Sequence, residues 1–71
     1  MPETEALARN LKRIRKEEMK ETQADFASGC GISEEEISLM ERKKTDPKLS
    51  TLKYIAAYTN HSVSEILKVE G

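Results

Sequence analysis

Tryptophan is absent from these 71 residues, and the aromatic side chains amount to Phe26, Tyr54 and Tyr58. Cysteine occurs once, at Cys30, so no internal disulfide can close and a reducing cytoplasm is the expected compartment. No apolar run approaches the roughly 18 residues that a membrane span requires, and the N-terminus lacks the pattern of a signal peptide. An excess of positive charge is missing too. Twelve Lys and Arg face thirteen Asp and Glu, for a net charge of -1, which is not the balance of a chain that holds nucleic acid by bulk charge. The single histidine, His61, makes with Cys30 at most two soft ligands, short of a four-ligand zinc site. No Ser-His-Asp set assembles, and no glycine-rich loop is present to cradle phosphate. A chain this short buries only about 60% of its unfolded surface, which leaves no room for an enclosed substrate cavity beside a core. The expectation is one non-catalytic domain over residues 1–71 with no cofactor, no metal and no small-molecule ligand.

What is present is charge and helical spacing. Hydrophobic residues make up 37% of the chain and charged residues 35%, a mixture that suits short amphipathic helices better than a sheet. Leu7, Leu11 and Ile14 recur at helical spacing and predict a first helix over about 4–18. Thr22 and Asp25 have the spacing of a capping box, opening a second helix over about 23–28 that turns Phe26 and Ala27 inward. Gly29-Cys30-Gly31 is expected to stop it, because glycine tolerates the left-handed conformation of a helix end. Ser33 and Glu36 repeat the capping pattern for a third helix over about 34–42, burying Ile37 and Met40. A basic loop carrying Pro47 follows over 43–48. A fourth helix over about 50–58 presents Leu52, Ile55 and Ala56, and Asn60-His61 makes a turn. Ser62 with Glu65 starts a short fifth helix bearing Ile66 and Leu67. The fold class is therefore all-α, a bundle of five short helices.

The charges are segregated even though they nearly cancel. Arg9, Lys12, Arg13, Arg15, Lys16 and Lys20 crowd the first third, and Arg42, Lys43, Lys44, Lys48 and Lys53 form a second group. The first group reads as a solvated helix face with Glu17 and Glu18 as partners. Acid gathers at Glu34, Glu35, Glu36 and Glu41.

Helices two and three, joined through a glycine-containing turn, have the pattern of a helix-turn-helix. Gln23-Ala24-Asp25-Phe26-Ala27, then Gly31-Ile32-Ser33, then Ile37-Ser38-Leu39-Met40-Glu41-Arg42 resemble the Cro/repressor (XRE) family. Lys44-Thr45-Asp46-Pro47-Lys48-Leu49 is similar to that family's loop into helix four, and Ser62 to Leu67 to its last helix, so the resemblance covers about residues 7–68. It implies a lambda-repressor-like bundle that binds double-stranded DNA as a homodimer and regulates transcription, with helix three in the major groove. Gln23, Ser33, Arg42, Lys43 and Lys44 would then meet the DNA backbone, and Glu34, Glu35, Ser38 and Leu39 would face base edges. The resemblance also implies a structural ion pair between Arg15 and Glu41. A dimer surface on helix five and the C-terminal end, using Tyr58, Val63 and Val69, follows from family habit and leftover apolar residues.

The chain departs from that family in four places. Three glutamates open the third helix, where Gln, Arg, Ser, Thr or Asn are usual. A glutamate can accept from cytosine N4, yet acid in a first helical turn is also stabilised by the helix dipole at about 0.3–1 kcal/mol without any reading of bases. Both roles stay open for Glu34 and Glu35. So does a different use of the fold, in which the acidic face meets a basic protein in an antitoxin-like or anti-repressor module. Lys43 stands where the family tends to have glycine, and left-handed backbone there costs about 1 kcal/mol. Met19-Lys20-Glu21 lengthens the turn before helix two by one residue. Cys30 takes a place the family gives to an apolar core residue, so an inert buried thiol is expected.

Overall fold

The computed structural model describes residues 2–69, and these fold into five α-helices with no strand among them. In order they are α1 Pro2–Arg13, α2 Gln23–Cys30, α3 Glu34–Glu41, α4 Leu49–Thr59 and α5 Val63–Ile66. A π-helical stretch, Ile14–Met19, continues α1. Leu7, Leu11, Ile14, Phe26, Ile37, Met40, Leu52, Ile55 and Ile66 form one core, with every helix supplying at least one of them. Ala56 and Leu67 are only half-buried against it. No helix among the described residues is long and apolar enough to cross a membrane.

The first helix is longer than its apolar spacing suggests and changes pitch midway. The residue that seemed surplus in the turn is absorbed by the wider π coil, where bonds run over five residues instead of four. Lys20 closes it in left-handed backbone (φ 55°, ψ 47°), with its amide donating to the Arg15 carbonyl. Glu21 N–H donates to the same oxygen at 3.0 Å. Of the expected basic face, Arg9, Lys12, Lys16 and Lys20 are exposed and Arg15 is buried, while Glu18 meets His61 Nε2 at 2.8 Å.

The second helix runs on to Cys30, past the expected end at Ser28, and Gly31 alone stops it (φ 81°, ψ 27°). Gly29 lies within the helix, and its missing Cβ has a different cause. A Cβ there would overlap the ring of Tyr58, which crosses close above it. Tyr58 packs edge-on to Phe26 at 5.7 Å between ring centroids, and its hydroxyl donates to the Glu21 carboxylate at 2.8 and 2.9 Å. Tyr58 is thus spent inside the molecule, and Val63 is half-buried against the core. Of the three residues expected to be left over for a dimer surface, Val69 alone is exposed.

All three capping serine and threonine oxygens accept from the backbone amide three residues on, Thr22 from Asp25, Ser33 from Glu36 and Ser62 from Glu65, each at 3.1 Å. The return bond of a full capping box is present at Ser62 and Glu65. Asp25 is a side chain too short to reach back as readily as Glu or Gln. Helix α3 ends at Glu41, one residue before the expected end, and α4 extends one residue further at each end, from Leu49 to Thr59.

Candidate nucleic-acid interface

The turn between α2 and α3 is built by three adjacent backbone bonds. Gly31 N–H donates to the carbonyls of Ala27 at 2.9 Å and Ser28 at 3.3 Å, and Ile32 N–H donates to Ala27 at 3.1 Å. Left-handed glycine makes this reversal without strain, and Ser33 then starts α3 at once. The two helices cross with Phe26, Ala27, Ile37 and Met40 all buried between them and the rest of the bundle. One side of α3 is thereby fixed and the other is left in solvent.

Beneath the crossing lies a buried charged cluster. Arg15 grips Glu41 with two parallel bonds, Nε to Oε2 at 2.7 Å and Nη2 to Oε1 at 2.9 Å, at side-chain exposures of 8% and 2%. A third guanidinium bond, from Nη1, reaches the Glu21 carbonyl at 2.8 Å. Gln23 Nε2 donates to Glu41 Oε1 at 3.1 Å. One carboxylate therefore joins the π stretch, the start of α2 and the end of α3, and no buried side-chain polar atom among the described residues is left without a partner. Burial pushes the Glu41 carboxyl up, but the bonds from Arg15 and Gln23 and the charges of Arg15 and Lys12 outweigh it, and the group sits below its ordinary range. The bond to Glu41 raises the Arg15 guanidinium further, against the effect of burial.

The residues assigned to the two kinds of DNA contact are placed as follows. Ser33 sits at the head of α3, exposed, with its oxygen accepting from Glu36 N–H and its own proton available to donate. Gln23 is half-buried at the head of α2 and is already bonded to Glu41. Arg42 is exposed and lies back along α3, with Nε donating to the Ser38 carbonyl at 3.4 Å. Lys43, in left-handed backbone (φ 61°), and Lys44 are both exposed. Their amides close the end of α3 by donating to Met40 at 3.2 Å and Leu39 at 2.9 Å. Glu34 and Glu35 are exposed in the first turn of α3, and Ser38 and Leu39 are half-exposed one turn on. The four residues expected to face bases thus share one helix, with cations at its C-terminal end and a hydroxyl at its start.

Three links carry the bundle without having been singled out from sequence. Asn10 Nδ2 donates to the carbonyls of Ile66 at 2.8 Å and Lys68 at 3.0 Å, the Glu21 carboxylate holds Tyr58, and Glu18 holds His61. Asn10 could have been found, because it lies on the apolar face set by Leu7, Leu11 and Ile14 and is itself buried. The other two depend on the π stretch, whose wider pitch has no residue signature. His61 Nδ1 also lies 3.8 Å from Glu65. Among the described residues no group of three His, Cys, Asp or Glu could hold a metal ion. Burial, with the charge of Glu21 adding to it, pushes the Cys30 thiol up to about 11, which makes it a poor nucleophile at neutral pH.

A solved structure, that of a hypothetical transcription factor NHTF from Neisseria, superimposes with a TM-score of 0.85 over 93% of this chain and 75% of the other, at 24% sequence identity. No curated protein matches the chain. The helix-turn-helix family model matches residues 11–68, which takes in α2, the glycine turn, α3 and both later helices. The chain belongs to the XRE-type helix-turn-helix family.

Proposed function

We propose that this chain acts as a single domain that regulates transcription by binding duplex DNA sequence-specifically, as a homodimer in the cytoplasm, and does no chemistry. In this reading α3 enters the major groove and α2 lies across the backbone above it. Ser33, Arg42, Lys43 and Lys44 hold phosphates at the two ends of α3, and Gln23 does so at the head of α2, where backbone amides favour an anion. Glu34, Glu35, Ser38 and Leu39 face the bases. Glutamate accepts from cytosine N4, and Leu39 touches a thymine methyl. The observation that carries the reading is the pose of α3. It is pinned from below by Ile37, Met40 and the Arg15–Glu41 pair, while Glu34, Glu35, Arg42, Lys43 and Lys44 stand out in solvent. A base-reading helix needs that rigidity, because readout depends on side chains held at fixed positions.

One feature favours a second reading. Glu34, Glu35 and Glu36 are all exposed in the first turn of α3, and a groove lined with phosphates repels them. A basic protein partner would meet that turn favourably.

Titration with random-sequence duplex at two salt concentrations separates the two. A DNA-binding chain binds at low salt and loses affinity steeply as salt rises, because about 4–6 phosphate contacts release their counterions. Absence of binding at low salt would give the face to a protein partner. Selection of bound sequences from a random duplex pool then tests the base assignment, with cytosine expected opposite Glu34 or Glu35.

A further inference from the structure

The first helix and its π-helical continuation carry a charged face that the bundle leaves unused. Every exposed side chain from Arg9 to Lys20 is ionic, namely Arg9, Lys12, Lys16, Glu17, Glu18 and Lys20. Steps of three or four residues put the four cations on one side of the helix, over a length of roughly 15 Å. Neighbouring acids do not neutralise them. Glu18 bonds His61 and Glu21 bonds Tyr58, and no ion pair joins Arg9, Lys12, Lys16 or Lys20 to an acid among the described residues. Glu17 stands exposed and outnumbered beside Lys16, and Glu5 ends the stripe one turn before Arg9.

The stripe runs up to the residues assigned to DNA. Lys20 stands three residues before Gln23, which opens α2. The charge of Lys12 helps to hold the Glu41 carboxyl low, which puts Lys12 near the carboxylate that Gln23 bonds. We propose that Lys12, Lys16 and Lys20, with Arg9 beyond them, form a second phosphate-binding strip that lays the first helix along the duplex backbone past the head of α2. This rests on the duplex reading above and extends its surface to an element outside the helix-turn-helix. Charge and continuity select the occupant. A protein interface has a core depleted of charge and enriched in aromatic residues, and no apolar side chain is exposed on this face. One strand of a duplex presents a phosphate about every 3.4 Å of axis, so the stripe spans roughly four of them. The binding surface also needs these charges. Glu34, Glu35 and Glu36 at the start of α3 match Arg42, Lys43 and Lys44 beyond it in number. The net attraction for phosphate therefore comes from cations elsewhere, and the stripe is the group of them that adjoins α2.

Duplex affinity of the whole chain, measured on random-sequence duplex over a range of salt, tests this. Four proteins are compared: wild type, Lys44→Ala, the double variant Lys16→Gln with Lys20→Gln, and a control double variant Lys53→Gln with Lys68→Gln. The two double variants lose the same net charge, and all four native lysines are exposed. The stripe variant should bind about tenfold more weakly at about 0.1 M salt, with a log–log salt slope shallower by roughly 1–2. The control should stay within about threefold with its slope unchanged, since separated surface charges are screened beyond about 10 Å at that salt. In wild type, bound duplex should protect Lys16 and Lys20 from an amine acylating reagent and leave Lys53 reactive. Helicity by circular dichroism checks the fold. If Lys20→Gln loses helicity, Lys16→Gln alone and the protection pattern decide. Wild type that binds duplex, is weakened by Lys44→Ala and is indifferent to the stripe variant overturns this proposal alone. So does a control that falls as far as the stripe variant, or Lys16 and Lys20 left reactive in the complex. Wild type that ignores duplex even at low salt overturns the DNA reading, and this proposal with it.

Discussion

Glu41 combines two roles in one carboxylate, neutralising a buried guanidinium and positioning Gln23 at the head of α2. Replacing a buried pair by well-packed apolar residues is often harmless, but removing one partner leaves a bare charge in the interior. Glu41→Gln is therefore expected to cost about 3–5 kcal/mol, read as a lower urea midpoint, and to loosen Gln23 as well. The pH dependence follows from the same bonds. A carboxyl held below its ordinary range in the folded chain contributes stability that is complete above an unfolded value of about 4.3. That contribution disappears as the pH falls through the lower folded value. Stability of the wild type should fall below about pH 4.3, and the slope of that fall should be shallower in Glu41→Gln. An unchanged acid limb would mean that other carboxylates carry it. At the far end of α3, Lys43 is held in left-handed backbone that costs a non-glycine residue about 1 kcal/mol. Lys43→Gly should leave stability unchanged or raise it by up to about 1 kcal/mol, a shift of a few degrees in Tm. The same change should weaken duplex binding and make it less sensitive to salt. Lys44→Ala should reproduce the loss of binding without the gain in stability.

At the scale of the element, the second helix shows how one residue type serves two different needs. Gly31 is required by its backbone angle, and Gly29 by the ring of Tyr58 above it. Gly29→Ala gains helix propensity of roughly 1 kcal/mol. It also pushes a ring that is anchored to Phe26 and Glu21, and overpacking of that kind costs about 1–3 kcal/mol. The variant should be destabilised on balance. In a Tyr58→Ala background the same substitution should turn stabilising, since only the propensity gain is left, and the sign change in a double-mutant cycle of denaturation free energies is the check. The same pair shows what the sequence could reveal. Helix positions, capping oxygens at Thr22, Ser33 and Ser62, and the core residues Leu7, Phe26, Ile37 and Ile55 were legible because spacing and capping are local. The role of Gly29 was not legible, because it depends on a residue twenty-nine positions away. The π stretch was not legible either. The surplus residue ahead of α2 was visible, but an extra residue can be looped out or wound into a helix, and only the packing of Ile14 and Arg15 selects the second. Around α3 the exposed acid was evident from sequence, whereas the engagement of Gln23 by Glu41 depends on the crossing of two helices.

For the whole molecule the closing contact is Asn10. Its amide reaches the carbonyls of Ile66 and Lys68, fifty-six and fifty-eight positions along the chain, and it is only 2% exposed. Helix α5 has four residues, and a helix that short has no stability of its own in water. It is held by Ile66 in the core, by the Ser62–Glu65 capping box and by this amide from α1. The capping box also holds the Glu65 carboxyl below its ordinary range through the Ser62 backbone bond, so that contribution is present at neutral pH. Asn10→Ala removes two donors from buried or half-buried carbonyls, an unsatisfied group costing about 1–3 kcal/mol. The loss falls first on the element with least else to hold it. Amide hydrogen exchange should therefore quicken over residues 63–68 more than over α2 and α3, where the charged cluster and the central core are untouched. Duplex affinity should stay within about twofold, since binding is assigned to α2, α3 and the loop beyond, and a twofold change corresponds to only about 0.4 kcal/mol. Uniform acceleration across all five helices would mean instead that the chain opens as a single unit and that Asn10 supports α3 as much as the terminal helix.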